Sequence, residues 1–306
     1  MITFTFDDGY LSTWRQVRPI LQEFDMPGTV AVVCDRLLGN LSDQSGWAPS
    51  AASFMGLAEL RELARDGWEI ASHSLFHRRL TSLPLSYDDE KADWRYDRDR
   101  DVFVADYPWE EVATVICDGH FLKQRHSLAE LRASPAGFTY ERSRRRLYAR
   151  PPERGQDDPS LLFGSAQREL AQSRSVLEKN GFEIRSFIVP FSVWPEHLQG
   201  LGARYYDYVS SVRPGSNTGA SAFLHRFTAF SDRSVAEVIA TIEYHLRQGS
   251  WCILCFHEVV AEIKNRLDWP VAAFRQLVEW VDAQGIPVDT LSKGGDRLAA
   301  GTAAGR

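Results

Sequence analysis

The feature that most constrains this chain is a repeated alternation of short apolar strands with amphipathic helices. Ile2, Phe4 and Phe6 alternate before Asp7-Asp8-Gly9 breaks the run, which predicts a short strand with carboxylates at its C-terminal end. Ser12 opens a predicted helix to about Phe24, with Val17, Ile20, Leu21 and Phe24 on one face. Gly28–Asp35 reads as a strand that is nearly all apolar, as expected when both faces are covered. Leu57, Leu60, Leu63 and Ala64 have helical spacing, Gly67 stops that helix, and Trp68–Ser72 reads as a third strand ending at His73. The rhythm resumes with a helix over Gln167–Gly181 and strands over Glu183–Val189 and Tyr205–Val212. A helix over Ser234–Gly249, a strand over Trp251–Phe256, a helix over Pro270–Gly285 and a last strand over Ile286–Leu291 complete it. Such an order predicts an α/β fold with a parallel sheet and crossover helices, and 306 residues suit a single barrel domain.

Between Pro84 and Ser160 the alternation fails. The stretch is crowded with Asp and Arg, carries Arg142-Ser143-Arg144-Arg145-Arg146, and still holds Trp94, Phe103, Trp109, Phe121, Phe138 and Tyr148. It reads as a long ordered insertion, 84–160, packed on one end of a domain spanning 1–292, near the site. The Gly/Ala-rich residues 293–306 read as a flexible tail.

Composition limits the function. With 35 basic and 41 acidic residues the net charge is −6, so no global field favours nucleic acid or an anionic membrane. The longest apolar runs are strand-sized, far short of the ~20 residues of a membrane span. Four Cys make no disulfide framework. The chain opens directly on a strand, without a basic segment or apolar leader, which reads as cytoplasmic unless a leader lies upstream. Oligomeric state has no signal.

Four sets of special residues end predicted strands: Asp7-Asp8, His73 with His77, Pro190-Phe191, and His257. The C-terminal strand ends are where parallel α/β folds build their sites. Two His four residues apart plus one Asp can hold a divalent ion with an open position, the pattern of a catalytic centre. Adjacent carboxylates on extended backbone point opposite ways, so one can face the ion and the other take a proton. Alone each motif is cheap: Asp-Asp recurs at Asp88-Asp89 and Asp157-Asp158. Their coincidence on strand ends carries the weight. Cys252 and Cys255, three apart on a strand, face opposite sides and read as structural thiols. Trp47, Trp109, Trp194 and Trp269 read as core, with sugar-stacking walls as the alternative.

Thr5-Phe6-Asp7-Asp8-Gly9 and Ser72-His73-Ser74-Leu75-Phe76-His77 resemble the first two motifs of the polysaccharide deacetylases, carbohydrate esterase family 4. Phe187-Ile188-Val189-Pro190-Phe191 resembles the third motif, and Trp251–His257 the last. The resemblance covers 1–80 and about 165–292 and leaves the insertion unexplained. It implies a distorted (β/α) barrel with fewer than eight complete units and a long insertion after the third strand. It implies metal-dependent hydrolysis of an N-acyl, chiefly N-acetyl, group on a sugar or glycoconjugate. By position, Asp7 becomes the general base, Asp8, His73 and His77 the metal ligands, and His257 the general acid. Phe191 offers its N–H to the oxyanion and Leu254 lines the acyl pocket. One divalent ion is implied, zinc first, with Co, Mn or Ni also suited to these ligands. The third motif departs: Ile188 stands where the family has an Arg that orients the base, and Arg213 and Arg226 are the candidates to replace it. Two alternatives remain: a hydrolase of a non-carbohydrate amide, imide or formamide on the same fold, and an inactive glycan-binding barrel.

Overall fold

The computed structural model describes residues 1–37, 53–152 and 159–304. Trp47 and Asp157-Asp158 lie outside the described residues. Along the chain run β1 (Ile2–Phe6), α1 (Arg18–Glu23), β2 (Thr29–Val32), α2 (Cys34–Leu37), α3 (Leu57–Arg65) and β3 (Glu69–Ser72). Next come β4 (Arg95–Asp97), β5 (Val102–Asp106), β6 (Val115–Cys117), β7 (His120–Phe121), α4 (Leu128–Ala133), β8 (Gly137–Glu141), β9 (Arg146–Arg150) and β10 (Leu161–Phe163). The chain continues through α5 (Ala166–Lys179), β11 (Ser186–Ile188), α6 (Glu196–Gly202), β12 (Tyr208–Val212), β13 (Phe223–Thr228), α7 (Val235–Arg247) and β14 (Cys252–Phe256). It ends with β15 (Glu258–Val260), β16 (Asp268–Pro270), α8 (Val271–Ala283) and α9 (Leu291–Ala304).

Two compact units emerge: the described parts of Met1–Ser74 with Ser173–Arg306, and Leu75–Gln172. The first is a closed, all-parallel barrel in the order β1-β14-β13-β12-β11-β3-β2, seven strands rather than eight. Strand alternation sorts its side chains. Phe4 and Phe6 face outward, where they pack on Phe256 and Phe274, and Phe6 also meets Trp68. The opposite face of β1 carries Thr3, Thr5 and then Asp7 inward. Ala31, Ala71, Ile188, Leu224 and Ile253 fill the barrel around them. The inward row thus changes from apolar to ionisable along the strand direction, which places the reactive groups at the C-terminal end.

Two sequence expectations for this unit are corrected, and one strand is new. The predicted strand Ile286–Leu291 shrinks to one bridge, Val288 beside Ile2. The strand β13 goes unpredicted, because its inward row includes Arg226 and Thr228 and its outward row is half-buried. The expected tail from 293 is helix α9. Its glycines serve contact rather than freedom: a Cβ at Gly294 would sit 2.4 Å from Trp251, and one at Gly295 2.3 Å from Tyr208. Leu291 N–H donates to Thr29 Oγ1 and Ser292 N–H to Glu69, so α9 starts on groups at the N-terminal ends of β2 and β3.

The second unit holds two antiparallel sheets, β4-β5-β9-β8 and β10-β6-β7. Its core joins Tyr107, Val115, Phe138, Leu147 and Phe163, with Trp94 and Trp109 packed against it. The Asp and Arg crowding has a structural use. Arg150 is buried and donates to Asp101 and to the carbonyls of Arg132 and Ser134. Buried Glu90 accepts from Arg168 and Ser165. Arg142 and Arg145 hold the carbonyls of Glu110 and Pro108. This unit reaches beyond the expected 84–160 on both sides.

Candidate active site

Backbone geometry marks the strand ends first. Asp8 (φ 73°), Ser74 (φ 71°), His77 (φ 53°), Phe191 (φ 57°) and Ser192 (φ 59°) are all left-handed, and all follow β1, β3 or β11. A non-glycine residue there is strained, and such strain gathers at functional sites. At Asp8 the turn separates two successive carboxylates.

Asp7 continues the inward row of β1, its N–H on the Phe256 carbonyl at 2.9 Å. Its carboxylate is gripped by both arms of Arg226, Nη1 to Oδ1 at 2.8 Å and Nη2 to Oδ2 at 3.0 Å. Nη1 also reaches Thr5 Oγ1 at 3.0 Å. Both side chains are buried. Burial alone would push Asp7 up, but the charge of Arg226, then His73, the Arg226 hydrogen bonds and His257 bring it down to about 2. The Cys255 thiol donates to Asp7 Oδ2 at 3.5 Å from the neighbouring strand, and burial pushes that thiol well above its ordinary range.

Asp8 turns to a different group. Asp8, His73 and His77 each offer one ligand atom, all within 4.8 Å of one another. His73 Nδ1 donates to the Ile188 carbonyl at 2.7 Å, which leaves Nε2 as the lone-pair nitrogen. Nε2 lies 3.7 Å from Asp8 Oδ1, a separation suited to two ligands of one tetrahedral ion at ~2.0–2.2 Å. Burial pushes His73 below its ordinary value, against the pull of Asp7 and Asp8, and so favours the neutral, ligating form. The donor set, with His73 held by the Ile188 carbonyl, thus fits a divalent cation. Arg36 on α2 also pairs with Asp8, Nη1 to Oδ1 at 2.8 Å.

The other expected residues divide. His257 follows β14 on the inward side, one step past the Thr5–Cys255 pairing that continues to Asp7. Its Nδ1 is buried without a hydrogen-bond partner among the described groups. Phe191 is half-exposed at the end of β11. Arg226 meets Asp7, whereas Arg213 stands beside His225 at a cavity of about 410 Å³. Leu254 is a correction: Cys255 and His257 occupy the inward positions of β14, so Leu254 faces the outer layer with Phe256. Trp194 and Trp269 are buried against Phe187 and Phe256, as core. Sequence reasoning missed Arg36, whose short helix carries no signal, and Cys255, which the strand's inward parity reveals once β14 is registered on β1.

The polysaccharide deacetylase family model matches residues 1–105. No curated protein matches. A protein assigned to the polysaccharide deacetylases from Mycobacterium smegmatis shares 14% identity over 97% of this chain and 89% of its own, with a TM-score of 0.55. The Xyl-CE4 domain of a multidomain xylanase from the hindgut metagenome of Trinervitermes trinervoides shares 15% identity over 95% and 87%, with a TM-score of 0.48. A carbohydrate esterase family 4 pseudoenzyme from Bacillus anthracis shares 9% over 96% and 64%, with a TM-score of 0.47. The family model covers about the first third of the chain, and the likeness to the Mycobacterium smegmatis structure shows a shared barrel fold.

Proposed function

We propose that this chain is a metal-dependent hydrolase that removes an N-acyl group, in the first place N-acetyl, from a sugar or glycoconjugate. The observation that carries the reading is the split of the adjacent carboxylates: Asp8 with His73 and His77, Asp7 locked to buried Arg226. In this reading Asp8, His73 and His77 hold one divalent ion, zinc first, with Co, Mn or Ni as substitutes. Such an ion, when bound, polarises the acyl carbonyl and makes a nucleophile from water near neutral pH.

The protein's own groups do the rest. Asp7 is ionised throughout the working range, because its carboxyl titrates near 2. It accepts the proton of the attacking water, and the Arg226 fork fixes the direction in which it does so. Arg226 thereby takes the orienting role that Ile188 leaves vacant, and Ile188 contributes its backbone carbonyl to His73 instead. His257 protonates the departing amine nitrogen as the C–N bond breaks, since an unprotonated amide nitrogen leaves poorly. The N–H of Phe191, on its left-handed turn, serves the oxyanion. Leu254 and Arg213 have no part in it.

Acetate release from a panel of N-acetylated mono- and oligosaccharides tests the reading. Release that depends on added divalent metal supports it. Turnover of cyclic amides, imides or formamides alone assigns the site to a non-carbohydrate amide. Glycan binding without hydrolysis assigns an inactive barrel.

A further inference from the structure

Cys255 has no role in the reaction above, yet it lies at its centre. Asp7, Cys255 and His257 turn one carboxylate oxygen, one sulfur and one imidazole nitrogen to within 4.8 Å of one another. The Sγ–Oδ2 separation is 3.5 Å. Bond lengths of ~2.3 Å to sulfur and ~2.0–2.2 Å to oxygen, at a tetrahedral angle, put two ligand atoms roughly 3.5 Å apart. Cys255 is fully buried, and the buried Nδ1 of His257 has no hydrogen-bond partner among the described groups. The three residues share no member with Asp8, His73 and His77, and adjacent parallel strands hold them in register.

We propose that Asp7, Cys255 and His257 form a second cation site, selective for thiophilic divalent ions such as zinc and cadmium. Binding replaces the S–H proton that Cys255 now directs at Asp7. The sulfur–hydrogen bond breaks, a sulfur–metal bond forms, the proton leaves to solvent, and nothing is oxidised or reduced. Arg226 keeps both bonds to Asp7, Nη1 to Oδ1 at 2.8 Å and Nη2 to Oδ2 at 3.0 Å, and each carboxylate oxygen retains a second lone pair for the ion. With the guanidinium still in place, the filled site gains one net positive charge over the empty one. Filling it also costs the S–H proton, a cost the Asp8–His73–His77 set does not carry, so it fills after that set. Hard oxygen-seeking ions such as magnesium have no claim on it. The consequence rests on the roles proposed above for Asp7 and His257: a filled second site withdraws base and acid together, so excess thiophilic metal inhibits and excess magnesium does not.

The full chain, loaded with one equivalent of zinc, is titrated with cadmium while bound metal and the ultraviolet thiolate-to-cadmium absorption are followed. The expected result is about one further equivalent, accompanied by the thiolate band and by at least a roughly tenfold fall in acetate release. Cys255→Ser, which keeps size and a donor to Asp7, should retain the first equivalent and lose the second together with the band. Cys255→Ala should do the same, and Cys252→Ser, on the outward face of the strand, should keep both. Absence of the band in the wild-type chain, or its persistence in Cys255→Ser, overturns the inference. Failure to bind the first equivalent overturns instead the reading of Asp8, His73 and His77.

Discussion

The two ends of the barrel are built from opposite materials. At the C-terminal end lie buried charges and left-handed backbone: Asp7 on Arg226, Asp8 beside His73, and non-glycine residues at φ between 53° and 73° after three strands. At the N-terminal end lie Trp251, Tyr208 and Leu291, with α9 pressed close because two glycines carry no side chain. Paired buried charges on left-handed turns mark one end, and the close packing of α9 marks the other. Residues at the two ends should therefore fail differently when changed.

The largest expected effect is on turnover at the charged end. In the proposed mechanism His73→Ala removes a metal ligand and with it the polarising of the carbonyl, worth several kcal/mol at the barrier, or roughly a thousandfold and more in kcat. Steady-state acetate release and metal content check it. Arg226→Met should break the clean division, because it strands the Asp7 carboxylate in the barrel at a cost of about 3 kcal/mol. Denaturant unfolding measures that loss, and kcat should fall as well. Gly295→Ala should cost about 2 kcal/mol through overpacking against Tyr208 while kcat per folded molecule stays unchanged.

The smallest effect sharpens the contrast by pH. Glu69 lies at the packed end, and burial raises it above its ordinary 4.5, with polar contacts from Ser186 and Ser292 and the charge of Arg185 offsetting only part. The folded state thus holds a proton that the unfolded chain releases, so this group's contribution falls as pH rises from about 4.5 through the raised value. Glu69→Gln should flatten that slope and raise stability modestly at neutral pH. Unfolding curves across pH check it, and an unchanged slope would remove Glu69 from the account.

The sequence discloses the charged end better than the packed one. Asp7, Asp8, His73, His77 and His257 stand out because short polar motifs interrupt apolar strands at a fixed place in the repeat. Arg226 could be named only as one of two candidates, since the strand that aims it inward alternates arginine and threonine with half-buried residues. Cys255 hid behind its register: the Leu254 assignment placed the inward face one residue early, and a one-residue slip reverses every side chain. At the other end, Lys293-Gly294-Gly295 looks like a fraying tail because glycine signals freedom in a sequence. Here it signals contact, which depends on Trp251 and Tyr208 arriving from elsewhere. In the second unit, strands of two to five residues leave too little periodicity to read.

The central claim is that two neighbouring carboxylates have separate work, and one measurement addresses it directly: metal content and turnover on the same preparation of Asp7→Asn. The account predicts a chain that still carries one divalent ion and has lost about a hundredfold or more of its turnover. An Asp7→Asn chain that hydrolyses at near wild-type rate, or that loses the ion as Asp8→Asn should, would contradict it.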